Sequence, residues 1–278
     1  MSGSTASPID VRDLPIGVFD SGVGGLTVLK AMREALPNEH FLYLGDTARL
    51  PYGTKSPASI ARYASQATSA LSERGIKLLV VACNTASAVA LQALDQLLAP
   101  VPVVGVVEPG AAAAVAAGRR HLVLATEATV RLGAYRDAIQ RLSADASVRE
   151  LACEMLVALA EEGWTDDDIS RQCLRRYLQP VFDAGYRPDT VILGCTHFPL
   201  LKQAVDDVVE PGTRVVDSAS TTAATVKALL SSRDLAREDS GDGSLQLLAT
   251  DGATRFARVG GQFLGYSLST TDIEIVDL

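Results

Sequence analysis

Val80-Val81-Ala82-Cys83-Asn84-Thr85 returns, about one α/β half-domain later, as Ile192-Leu193-Gly194-Cys195-Thr196-His197. Each stretch is a short apolar run that ends on a cysteine followed by polar residues. A parallel strand buried on both faces reads this way, as a continuous hydrophobic run rather than an alternation. In open parallel sheets, ligands sit beyond the carboxyl ends of the strands. Two related halves facing each other therefore bring both thiols to a shared cleft.

Working outward, short apolar runs alternate with segments of helical periodicity, the pattern of a doubly wound α/β fold. Ile16–Phe19 reads as a first strand, and the glycine-rich turn Gly22–Gly25 leads into a helix with Leu26, Leu29, Met32 and Leu36 on one side. Phe41–Leu44 is a second strand, followed by the loop Asp46–Lys55. Ser56 and Pro57 read as the N-cap and first residue of a helix running to Gly75. Leu78–Ala82 is a third strand, followed by a helix over Ser87–Leu98 and a strand over Val101–Val107. The pattern then restarts with an Ala-rich helix Pro109–Ala117, a strand His121–Ala125 and one helix from about Val130 to Leu142. Thr165, followed by Asp166, Asp167 and Asp168, marks another helix start. Thr190–Leu193 and Arg214–Val216 are strands, Ser231–Ser244 a mobile polar loop, and Leu245–Thr250 and Thr254–Leu264 a last strand and helix.

The 278 residues are 47% hydrophobic and 21% charged, values of a globular chain with a substantial core. A formal charge of −8 argues against a nucleic-acid surface. It leaves room for a small anionic ligand, which backbone amides and helix N-termini can hold. Met1–Arg12 has no signal-peptide pattern, and the apolar runs are too short to span a bilayer, so no membrane association and a cytoplasmic location are expected. The four cysteines, Cys83, Cys153, Cys173 and Cys195, form no Cys-x-x-Cys pair and read as free thiols. The three histidines are scattered, and no metal site is expected.

Two thiols on opposite sides of a cleft suit inversion at carbon: one removes a proton from one face while the other returns a proton to the opposite face. One must then be a thiolate and its partner a thiol, and a thiolate needs stabilising surroundings. Asp20, at the end of the first strand, can assist Cys83, bind an ammonium group, or simply cap the following helix. The Gly22–Gly25 turn lacks the full dinucleotide and P-loop fingerprints and reads as a tight turn whose amides can hold a carboxylate. His197 lies close enough to Cys195 to orient it. Glu161 is a candidate carboxylate or a solvated helix-end acid, and Cys153 and Cys173 read as thiols without a role.

Together these strings resemble the glutamate racemase family. The resemblance rests on Asp20-Ser21-Gly22-Val23-Gly24-Gly25, Gly45-Asp46-Thr47-Ala48-Arg49-Leu50-Pro51-Tyr52-Gly53, Ala82-Cys83-Asn84-Thr85-Ala86 and Gly194-Cys195-Thr196-His197-Phe198-Pro199-Leu200, and it runs from Ile16 to about Gly265. It implies two doubly wound parallel-sheet α/β domains related by pseudo-twofold symmetry, with the active site between them. Residues 14–108 and 217–278 would form the first domain and 109–216 the second, after a disordered tail over 1–13. It further implies that Cys83 exchanges the proton with D-glutamate and Cys195 with L-glutamate, Asp20 supporting Cys83, and Glu161 and His197 supporting Cys195. Substrate contacts would come from Asp20, Ser21, Tyr52, Gly53, Asn84, Thr85, Thr126, Thr129, Thr196 and His197. The family uses neither pyridoxal phosphate nor metal, and its D-glutamate feeds peptidoglycan synthesis and so cell-wall biogenesis and cell shape. Such enzymes are often homodimers, although no stripe here specifies an interface. The chain departs from the family pattern at Glu154 and Ala158, where prolines are common, and that loss would loosen the segment leading to Glu161.

Three alternatives stay open on the residues. A related two-cysteine racemase or isomerase would act on aspartate or another small dicarboxylate. A cysteine hydrolase would use Cys195 with His197 and dispense with Cys83. A ligand-binding protein would exchange no Cα proton.

Overall fold

The apolar runs form two separate sheets, and among the described residues every strand pairing is parallel. The computed structural model describes residues 10–239 and 241–278. The strands are β1 (Ile16–Asp20), β2 (Phe41–Gly45), β3 (Leu78–Val81), β4 (Val103–Gly105), β5 (Arg120–Ala125), β6 (Ser147–Ala152), β7 (Thr190–Gly194), β8 (Arg214–Asp217), β9 (Leu245–Ala249) and β10 (Ile273–Ile275). The first sheet runs β10-β9-β2-β1-β3-β4 and the second β6-β5-β7-β8. Position for position, β2-β1-β3-β4 and β6-β5-β7-β8 share one arrangement, so Cys83 and Cys195 follow equivalent strands. β9 and β10 extend the first sheet alone, and β2 pairs with β9 through Phe41 against Leu245.

Helices cover both faces: α1 (Leu26–Ala35), α2 (Pro57–Glu73), α3 (Asn84–Leu98), α4 (Val107–Val115), α5 (Glu127–Leu132), α6 (Ala134–Leu142), α7 (Glu154–Glu162), α8 (Asp168–Asp183), α9 (Lys202–Val208), α10 (Ser218–Ser232) and α11 (Ala253–Leu264). β1, β2, β3 and β7 are buried at every residue, which explains their unbroken apolar sequence. One apolar cluster runs from Val18 and Leu29 through Val226 to Leu193 and Phe198, so the two halves share core.

Several boundaries differ from expectation. The expected helix over Val130–Leu142 is two helices, because Gly133 takes φ 63°, a left-handed turn that ends α5 and begins α6. Cys83 rather than Ser87 marks the start of α3, and the strand expected over Val101–Val107 is shortened to β4 because α4 begins at Val107. α8 is capped by Asp167, whose carboxylate accepts from Ser170 N at 2.8 Å, two residues beyond the expected start. β6, α7, α9, α10 and β10 have no counterpart in the sequence reading. β6 is an edge strand bearing Arg149 and Glu150, without the alternation or apolar run that announces a strand. Of the expected tail, residues 1–9 lie outside the described residues, whereas Val11–Asp13 form a 3-10 turn capped by Asp10. Arg237 fastens the loop after α10: its backbone N–H donates to Glu39 and its guanidinium to the Asn38 carbonyl, each at 2.9 Å.

His121, fully buried at the start of β5, pairs Nδ1 with Thr190 Oγ1 at 2.8 Å and leaves Nε2 without a partner. Burial holds its pKa below the ordinary value, so the unfolded chain binds the proton first. The stability this neutral ring contributes is complete above about pH 6.5, the unfolded value, and is lost as pH falls from there toward the folded one. Urea unfolding should therefore show the wild type losing more stability between neutral and mildly acidic pH than His121→Gln. Equal losses would exclude His121 as the cause.

Candidate active site

In both sheets the strand order reverses beside the first strand of the unit, between β1 and β3 and between β5 and β7. The crevice outside such a reversal is the usual ligand position in doubly wound sheets. Asp20 ends β1 and Cys83 lies just beyond β3; Thr126 follows β5 and Cys195 follows β7. Cys83 is also the N-cap of α3, its Sγ accepting from Ala86 N at 3.4 Å. Cys195 leads instead into a 3-10 turn over Phe198–Leu201.

The two crevices face each other and enclose one cavity of about 60 Å³. Ser21, Tyr52, Gly53, Cys83, Asn84 and Thr85 line it from one side, and Thr126, Cys195, Thr196 and His197 from the other. Pro51, Glu154 and Val157 also line it. Pro51 lies inside the motif that supplies Tyr52, whereas nothing in the local pattern marks Glu154 or Val157. Asp20, Thr129 and Glu161 do not line the cavity; Thr129 bonds the Thr85 hydroxyl and Glu161 bonds His197, both of which do. Cys153 and Cys173 do not reach the cavity; burial raises both thiols. Among the described residues, no group of three or more His, Cys, Asp or Glu side chains is placed to hold a metal ion. None of the described helices is long and apolar enough to cross a membrane.

The two sulfurs have different neighbours. Burial, with the Asp20 carboxylate adding to it, pushes the Cys83 thiol up to about 12. Asp20 is itself buried, and burial raises its pKa; Oδ2 accepts from Gly22 N at 2.8 Å while Oδ1 has no hydrogen-bond partner. The amides of the glycine turn thus serve the chain's own carboxylate. Cys195 Sγ lies 3.8 Å from His197 Nδ1, and His197 Nε2 lies 3.1 Å from Glu161 Oε1. Burial works against the imidazolium, yet Cys195 and Glu161 outweigh it and raise His197 to about 10. Arg255, which the sequence reading does not single out, bonds the other Glu161 oxygen at 2.5 Å.

Around the thiols, polar groups are arranged in pairs across the cleft. Thr85 of the first half meets Thr126 and Thr129 of the second at 3.1 and 3.2 Å. Asn84 Oδ1 accepts from the Tyr135 hydroxyl at 2.7 Å, leaving Nδ2 buried and unpartnered at the cavity. Tyr52 donates its hydroxyl proton to Asp46 at 2.6 Å, so the hydroxyl has no proton left to donate to a ligand. Thr27 Oγ1 donates to the Thr196 carbonyl at 2.8 Å.

The Asp/Glu/Hydantoin racemase family model matches residues 16–226. The chain belongs to this racemase family. The curated relatives of this chain are named as glutamate racemases, and the chain is accordingly an amino-acid racemase, an isomerase. A glutamate racemase of Geobacter metallireducens is 50% identical over 255 residues, covering 91% of this chain and 93% of that one. Among solved structures, the glutamate racemase of Francisella tularensis in complex with D-glutamate superposes with a TM-score of 0.88 at 32% identity, covering 96% of this chain and 98% of that one. The Thermus thermophilus glutamate racemase with β-chloro-D-alanine gives 0.85 at 42% identity, with the same coverage. An aspartate racemase of Picrophilus torridus, 18% identical with a TM-score of 0.53, shares the fold.

The proline-free segment of this racemase is α7. Glu154 Oε1 accepts from Glu127 N at 2.5 Å, and Leu156, Leu159 and Ala160 are buried, so packing and a side-chain bond fasten the helix that carries Glu161.

Gly24 is required by a close approach between the halves. A Cβ there would lie 2.4 Å from Thr196 Oγ1 and 2.5 Å from His197 Nδ1. Both groups belong to residues that line the cavity, so making room there would disturb its wall. Gly24→Ala should cost about 1–3 kcal/mol, the usual range for overpacking, as read by urea unfolding. A variant as stable as the wild type would show that the turn gives way.

Proposed function

We propose that this chain is a cofactor-independent glutamate racemase in which Cys195 and Cys83 act on opposite faces of the α-carbon. The observation that carries this reading is the pair of buried sulfurs, one from each half, lining a single small cavity. In the L-to-D direction the Cys195 thiolate takes the Cα proton and becomes a thiol. The electron pair left on Cα spreads into the substrate carboxylate, and the Cys83 thiol delivers its proton to the other face and becomes a thiolate. The reverse direction exchanges the roles. Cys83, raised to about 12, starts as the thiol, and an imidazolium at His197 is the partner a Cys195 thiolate needs. This resting form suits L-glutamate. The free Asn84 Nδ2 and the Thr85 and Thr196 hydroxyls are donors for the substrate carboxylates, while Asp20 supports Cys83 and Glu161 holds His197. The relatives' names and the fit to a D-glutamate complex support glutamate over aspartate. D-glutamate made this way would supply peptidoglycan synthesis.

Proton NMR of L-glutamate in D₂O with the purified chain should show loss of the Cα signal while optical rotation decays to zero. Exchange of aspartate but not glutamate would overturn the substrate, and exchange of neither would overturn the chemistry. Cys83→Ser should lower racemisation by at least about 100-fold in both directions, the usual contribution of a proton-transfer group. A hydrolase built on Cys195 would survive it.

A second expectation concerns pH. Activity should fall as pH rises through about 10, where His197 loses its proton, and pH–rate profiles should show this limb displaced in His197→Asn. An identical limb in that variant would remove His197 from the assignment.

A further inference from the structure

Helix α11, which packs on the first sheet, reaches across the cleft to the surroundings of Cys195 at two points. Arg255 donates Nη2 to Glu161 Oε2 at 2.5 Å, and the Phe263 ring meets the His197 imidazole edge-on with centroids 5.2 Å apart. Glu161 is carried by α7 of the second half, so its bond to Arg255 joins the halves. Its other oxygen, Oε1, accepts the His197 Nε2 proton at 3.1 Å.

That arrangement decides which nitrogen faces the sulfur. With Nε2–H committed to Glu161, the neutral ring presents Nδ1 as a bare acceptor, and Nδ1 is the atom 3.8 Å from Cys195 Sγ. The ring can then receive the thiol proton and, once charged, face the thiolate. The orientation holds only while the Glu161 carboxylate keeps its plane. Among the described residues, its hydrogen-bond partners are His197 and Arg255, so Arg255 is the group that fixes it from outside the site. The Arg255 side chain is about half exposed (52%), and an exposed ion pair contributes little to global stability. Its effect is local and directional.

We propose that Arg255 is a positioning residue for Cys195: it fixes Glu161, which orients His197, which keeps the Cys195 thiolate available. The inference rests on the two-thiol reading, and the readout that decides it, thiol alkylation, does not depend on turnover. Full-length wild type, Arg255→Met and Arg255→Lys are treated with iodoacetamide near neutral pH, and alkylation of Cys83 and Cys195 is followed separately by mass spectrometry of their peptides. In Arg255→Met, Cys195 should react about tenfold more slowly, the size of one charge-assisted hydrogen bond, while Cys83 keeps its wild-type rate. Arg255→Lys should recover most of the difference. Steady-state kinetics of Arg255→Met should show a reduced kcat with KM for glutamate within about twofold of wild type. A wild-type Cys195 rate in Arg255→Met overturns the proposal, as does a parallel change at both cysteines, which would mark general loosening. Failure of the two-thiol reading itself would appear separately, as absence of Cα exchange in the wild type.

Discussion

One buried hydrogen bond, from Thr27 Oγ1 to the Thr196 carbonyl, ties the start of α1 to the loop that carries Cys195. Beside it, Gly24 leaves no room for a side chain against Thr196 and His197. Together with the shared apolar core and the other bonds across the cleft, this contact holds the carboxyl ends of two parallel sheets face to face, so groups distant in sequence enclose one cavity. The Thr85, Thr126 and Thr129 hydroxyls repeat the same kind of tie on the other flank. Pairing buried polar groups across the gap avoids the cost of leaving them unsatisfied, and it sets the spacing between the walls.

The halves repeat in topology but not in electrostatics. Cys83 has a buried carboxyl group behind it, and Cys195 has an imidazole backed by a carboxylate. Two identical surroundings would give both sulfurs the same protonation preference. The differing neighbours set the two sulfurs apart: Cys83 is held toward the thiol by burial and Asp20, whereas Cys195 faces an imidazole. The repeated strand order thus places the thiols, and the unmatched second row of side chains tells them apart.

Much of this was legible in the sequence, for a physical reason. Strands β1, β3 and β7 are covered on both faces, so they had to be apolar throughout, and the polar residues that follow them mark where the sheet ends. Edge strand β6 carries charge and escaped that pattern. Helix α10 is rich in serine and threonine, which are weak helix formers, and its burial against α1 and the shared core explains it better than propensity does. Among the residues that line the cavity, those in local strings were readable. Arg255, outside it, was not, because its partner Glu161 is 94 residues away and an exposed helix face gives no sign of what it meets. Nor could the motif tell that the Tyr52 hydroxyl is spent on Asp46, which draws further bonds from Arg49 and Thr250.

The pairing of β2 with β9 has a consequence for how the molecule comes into being. The second sheet is inserted between the strands of the first, so the edge of β2 finds its partner only when Leu245–Ala249 arrives. During synthesis, the opening third of the chain therefore emerges with one flank of its sheet uncovered. It stays so while the whole inserted unit is made. Non-local parallel pairing forms slowly, and an unpaired apolar edge invites association with other chains. The closing segment of the polypeptide acts as the clasp on a sheet begun at its start.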